Sequence, residues 1–153
     1  MADGTANQEG LTIPLMSWKN NLKALLVDPS STCTLIGKAY LTNYGVKTGA
    51  VDNADVTITL LNEGASFTVI LADMHMREMN GAQHMFHSLI FGMSMTVCYA
   101  ASSMGVQTRL LGMSTMFRER EKEEFLAAGG DGFIEKPLHP SKFVPILQEL
   151  DNN

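Results

Sequence analysis

A chain of 153 residues, 45% hydrophobic and 18% charged, has the proportions of one globular domain and can bury roughly 68–70% of its unfolded surface without a disulfide or structural metal. Its net charge of −5 argues against nonspecific nucleic-acid binding, which needs a basic face. Cys33 and Cys98 are too few for a disulfide framework and read as small buried hydrophobes of a reducing compartment. No basic start followed by an apolar core marks a secretory signal, so we expect a cytoplasmic protein with access to the nucleus.

Residues 1–21 are polar, rich in small residues and aperiodic, and read as a disordered leader in which Trp18 alone has reason to pack on the domain. Residues 22–27 form an apolar run of strand length. Ser30 and Ser31 then offer an N-cap to a helix with Leu35, Ile36, Ala39, Tyr40 and Tyr44 on its apolar face, closed at Gly45. Residues 46–51 read as a strand. Asp52 and Asn53 cap a second helix carrying Val56, Leu60 and Leu61, and 67–72 is a third strand. Further on, 108–113 is a strand, and 118–128 is a charged helix turned to water with Phe125 and Leu126 facing in. Its run of charges from Arg118 to Glu124 is a solvated face with i,i+4 pairs. Residues 133–135 make a last strand, and Pro140 and Ser141 open a helix with Phe143, Val144, Leu147 and Leu150 on one face. Strands alternating with helices imply right-handed crossovers and a doubly wound α/β sheet over residues 22–150.

The stretch 80–108 stands apart, for it contains no Asp, Glu, Lys or Arg. Gln83, His84, His87, Ser88 and Ser94 interrupt it and no basic flank anchors it, so it is not a membrane span. His84 and His87, with His75 nearby, have a spacing that soft metals use, but such pairs sit more often on a helix surface or in a core. One apolar stripe suffices to cover a sheet. The surplus apolar residues Phe86, Ile90, Phe91, Met93 and Met95 therefore predict self-association through 82–104, or local disorder.

Chemistry concentrates where the apolar runs end. Two close on aspartates 45 residues apart, Asp28 and Asp73; a third closes on Ser114 and a fourth on Lys136-Pro137. In parallel sheets ligands gather at the carboxyl ends of the strands. Two carboxylates, a hydroxyl and an ammonium on one edge can bind a divalent cation and a phosphoryl group.

Lys-Ala-Leu-Leu-Val-Asp28, Asp73-Met-His-Met-Arg-Glu-Met-Asn-Gly81 and Ala-Ala-Gly-Gly-Asp-Gly-Phe-Ile-Glu-Lys136-Pro137-Leu resemble the receiver domain of two-component response regulators, most closely plant phosphorelay receivers. The resemblance covers about residues 22–150. It implies a flavodoxin-like, five-stranded parallel sheet of order 2-1-3-4-5, here a single domain with an enlarged crossover after strand 3. It implies Asp73 as phosphoacceptor. Asp28, Asp73 and the backbone carbonyl of His75 would be ligands of Mg²⁺. Lys136 would set an ammonium against the phosphoryl oxygens, and Ser114 would donate its hydroxyl to them. Phe133 would be the aromatic that changes rotamer on activation, and the Lys136-Pro137 bond would be cis. The donor would be a histidine-containing phosphotransfer protein or a histidine kinase. No nucleic-acid or membrane partner is expected, and the chain would be a signalling phosphoacceptor and not an enzyme.

Three departures from that pattern carry consequences. Pro29 replaces the second of two adjacent acids, which predicts weak Mg²⁺ binding; Arg77 replaces a proline. The spacing from Asp73 to Ser114 exceeds the family's by about eleven residues, roughly 16 Å of helix. The reading is a stand-alone receiver without an output domain. One alternative is a degenerate pseudo-receiver acting as an interaction module independent of phosphorylation. A flavodoxin-like cofactor-binding protein is disfavoured, since Pro29-Ser30-Ser31-Thr32 is the nearest thing to a phosphate loop.

Overall fold

The computed structural model describes residues 16–74, 97–98, 101, 104–105 and 107–152. The three most continuous apolar runs become its inner strands: β1 (Lys23–Val27), β3 (Val69–Asp73) and β4 (Arg109–Ser114) are buried along nearly their whole length. The more polar β2 (Lys47–Val51) and β5 (Gly132–Glu135) take the two edges. All pairings are parallel, and the order is β2-β1-β3-β4-β5, the sheet expected from the sequence. Despite the long crossover, β4 pairs β3 in register from Val69↔Arg109 to Asp73↔Met113.

Alternation along the inner strands splits the core in two. Leu25, Val27, Ile70, Ala72 and Leu110 face one layer with Phe125 and Leu61; Ala24, Leu26, Val69, Leu71, Leu111 and Met113 face the other with Leu41, Phe143 and Leu147. The first layer thus holds α2 (Ala54–Asn62) and α3 (Glu119–Ala127), and the second holds α1 (Ser31–Asn43) and α4 (Pro140–Asp151). Part of the uncharged stretch is visible here: Val97, Cys98 and Ala101 are buried in the first layer and Met104 packs against it. The residues on which self-association was expected lie outside the described ones. Among the described residues no helix is long and apolar enough to cross a membrane.

Packing corrects several helical faces. Leu35 is 71% and Ile36 46% exposed, whereas Gly37 and Leu41 are buried. A Cβ on Gly37 would come within 3.0 Å of Leu26 Cδ1, so α1 turns its smallest residue, with Leu41, to the sheet and Leu35 and Ile36 outward. On α2 Leu61 is buried as expected and Thr57 is buried with it, its hydroxyl donating to Asn53 O, while Val56 is exposed. On α3 Phe125 is buried but Leu126 is not. Caps follow the sequence more closely. Ser30 Oγ accepts from Cys33 N and Asn53 Oδ1 from Val56 N, while α4 is capped one residue earlier than expected, by His139. Gly45 closes α1 with φ of 88°, a conformation that glycine enters without strain.

Residues 18–20, at the end of the expected leader, are tied to the domain. The Trp18 indole donates to Tyr44 O, and the amides of Lys19 and Asn20 both donate to the Asp151 carboxylate.

Candidate functional site

The topology carries all four strand-end residues to the carboxyl edge of the sheet. Asp28 follows β1, Asp73 ends β3, Ser114 ends β4 and Lys136 follows β5. Because β1 and β3 are adjacent, their aspartates are neighbours, 2% and 7% exposed. The Lys136 ammonium reaches across to both, 2.7 Å from Asp28 Oδ2 and 3.3 Å from Asp73 Oδ1.

Local structure fixes each group. The Asp28 amide donates to Val51 O, and its Oδ1 accepts from Ser30 N at 2.9 Å, an aspartate turn that runs into the cap of α1. Pro29 lies between them, exposed, and offers neither an N–H nor a third carboxylate. The Lys136 amide donates to Ser114 O at 2.8 Å, and the Lys136-Pro137 bond is cis. Ser114 is buried, but its hydroxyl is turned onto its own loop: it donates to Met116 O at 2.8 Å and accepts from Met116 N at 3.0 Å. The fold therefore unites Asp28, Asp73 and Lys136 and keeps the Ser114 hydroxyl beside them, engaged elsewhere. Phe133 is half-buried, edge-on to Phe117 at 5.2 Å and tilted on Phe125 at 5.5 Å. His75 and Arg77 lie outside the described residues.

Charge balance at the site is ionic. Burial by itself would lower the Lys136 pKa. The hydrogen bond to Asp28 and the charges of Asp73 and Asp28 together outweigh it and hold the ammonium above its ordinary value. Asp28 Oδ2 is buried, and the group that balances it is the Lys136 ammonium at 2.7 Å. Two carboxylates thus lie beside one another and beside the ammonium in a place shielded from water. Such a donor set fits a hard divalent cation, which takes one or two carboxylates and completes its shell with water and phosphate oxygens. Among the described residues no group of three or more His, Cys, Asp or Glu side chains converges, and Asp28 and Asp73 are the carboxylates that meet at this edge.

Two cysteines expected to be alike are not. Cys98 is buried, and burial, helped by the charge of Asp131, pushes its thiol up to about 12. Cys33 is exposed on the first turn of α1, its sulfur 4.0 Å from Lys136 Nζ. The run of charges on α3, read as wholly solvated, likewise hides an exception in Lys122, whose ammonium lies over Phe117 and Phe133. Neither placement has a signal in the sequence, since both depend on contacts between separate elements. Cavity size does not find the site either. A cavity of about 640 Å³ lined by Lys23, Phe67, Arg109 and Asp131 opens at the opposite edge of the sheet, away from these groups.

Comparison with known proteins agrees with this geometry. No protein-family model matches the chain. Among curated proteins, it is 31% identical over 147 residues to two-component response regulator 24 of Arabidopsis thaliana, covering 96% of each chain. Among solved structures, the chemotaxis protein CheY4 of Vibrio cholerae matches 86% of this chain and 99% of its own at a TM-score of 0.67 and 21% identity. The receiver domain of Francisella response regulator 1452 does so over 86% and 98% at a TM-score of 0.67 and 18% identity.

Proposed function

The chain belongs to the two-component response regulators, and from that premise we propose that Asp73 of its receiver domain accepts a phosphoryl group from the histidine of a phosphotransfer protein or histidine kinase. A carboxylate oxygen of Asp73 attacks phosphorus, the phosphorus–nitrogen bond to the donor imidazole breaks, and an acyl phosphate remains on Asp73. The observation that carries this reading is the Lys136 ammonium, 2.7 Å from Asp28 and 3.3 Å from Asp73. An incoming phosphoryl group adds negative charge beside two carboxylates, and a positioned cation there is what makes the approach feasible.

Asp28 and Asp73, with the His75 carbonyl as a further donor, would hold Mg²⁺, which supplies positive charge against the phosphoryl oxygens. Pro29 leaves that site one carboxylate short, so the metal binds weakly. Lys136 moves from the carboxylates to the phosphoryl group as a mobile point charge. Ser114 leaves Met116 to donate its hydroxyl to the same group, and Phe133 responds to that move. The protein in this reading is a signalling phosphoacceptor that assists its own phosphorylation and dephosphorylation.

The test is incubation with a radiolabelled, phosphorylated phosphotransfer protein and excess Mg²⁺. Wild type takes up label and Asp73→Asn takes up none. Label that persists on Asp73→Asn overturns the assignment. Unlabelled wild type would favour a receiver that keeps the fold as a phosphorylation-independent interaction module, a reading that Pro29 supports.

A further inference from the structure

Lys122 belongs to a run of charged residues along α3, yet it is only half exposed. Its ammonium stands 5.8 Å from the ring centre of Phe117 and 5.7 Å from that of Phe133, within the range at which a cation is held by the face of an aromatic ring. The two rings meet edge-on at 5.2 Å, the geometry their quadrupoles favour. Behind them Phe125 is 1% exposed and lies tilted on Phe133 at 5.5 Å. The Phe125 ring packs directly against Gly130, where an added Cβ would overlap it at 2.2 Å. Phe133 therefore rests on a buried, closely packed ring, and an ammonium lies over both Phe133 and Phe117.

Phe117 is also the residue after Met116, whose amide and carbonyl are both bound by the Ser114 hydroxyl. The loop is thus held at two neighbouring points, by Ser114 at Met116 and by Lys122 at Phe117. For Ser114 to turn toward Asp73, both Met116 hydrogen bonds must break and Phe117 must be free to follow. We propose that Lys122 is a positioning residue that clasps Phe117 to Phe133 and thereby holds the Ser114 loop in its resting form; its use as a regulator of phosphorylation rests on the function proposed above, while the clasp itself does not. The sequence neighbours of Lys122 are acidic, so its charge has other places to go, and the ring contacts select one of them.

Hydrogen exchange in the full, unphosphorylated chain tests the clasp whether or not Asp73 takes phosphate. Lys122→Met keeps the stem and removes the charge; Lys122→Arg keeps a cation that can stack on the rings. The expected result is a several-fold faster exchange of the Met116 amide in Lys122→Met and wild-type exchange in Lys122→Arg, with the amides of β1 and β3 unchanged in both. Met116 exchange that stays at the wild-type rate in Lys122→Met overturns the clasp. A uniform rise across the sheet overturns it too, because it assigns the effect to lost stability.

Discussion

A single carboxylate and a pair of carboxylates, at opposite ends of the sheet, are held in different ways. Asp151, at the end of α4, is 7% exposed and accepts the amides of Lys19 and Asn20, each at 2.8 Å. It is covered by a strap of chain rather than sunk in the core. Burial on its own would raise its pKa; the two amides, the Asn20 side chain and the Lys19 charge reverse that and hold it below the ordinary aspartate value. Asp28 and Asp73 are buried to a similar degree but share one lysine side chain. Backbone amides cannot leave without unfolding the strap, whereas a lysine head can swing to a new anion. Asp151 is thus held by backbone amides, whereas the ammonium beside Asp28 and Asp73 sits on a side chain that can move.

Removing the movable charge should give the largest effect. Lys136→Met takes away the ammonium both carboxylates share, and breaking a buried ion pair from one side costs about 3 kcal/mol, read as a lower urea midpoint at neutral pH. A variant as stable as wild type at pH 7 would mean that the site is not balanced by charge. The raised Lys136 pKa gives the matching sign in wild type. The stability it contributes is complete below the ordinary lysine value of 10.5 and is lost as pH rises through the higher folded value.

Adding a charge should sharpen the comparison from the other side. Pro29→Asp supplies a third carboxylate, and Mg²⁺ should bind about tenfold more tightly, about 1.4 kcal/mol, in a calorimetric titration. Unchanged affinity would show that Pro29 does not limit the metal.

The smallest effect belongs to the fixed carboxylate. Asp151→Asn keeps the shape but removes the charge that accepts two amides, so the strap amides of Lys19 and Asn20 should exchange faster while Asp73 labelling stays at the wild-type level. Because the folded pKa of Asp151 is lowered, its contribution is full above the ordinary value of 3.8 and fades only as pH falls through the folded value. The variant should therefore differ from wild type less and less down the acid limb. A difference that grows with acid would reverse the sign of this argument.

The amino-acid order by itself located the five strands, and its resemblance to receiver domains implied the order in which they pair, which the sheet has. It also determined which side chains reach the carboxyl edge: Asp28, Asp73, Ser114 and Lys136 each sit at the end of such a run, and parallel pairing does the rest. What it could not show is which way a helix faces when both sides are apolar. Leu35 and Ile36 look better suited to burial than Gly37, but α1 approaches Leu26 and Leu138 so closely at that position that even a Cβ would be tight against them. Nor could it show contacts between groups far apart along the chain, such as Asp151 with Lys19 and Asn20, or Lys136 with Cys33. Lys122 is closer, yet its use is equally hidden, since a helical charge run reads as solvent-facing until β5 brings Phe133 beneath it. Local periodicity decides what forms, because it acts over one or two turns; which face, which partner and which hydroxyl rotamer are decided only when several elements compete for the same space.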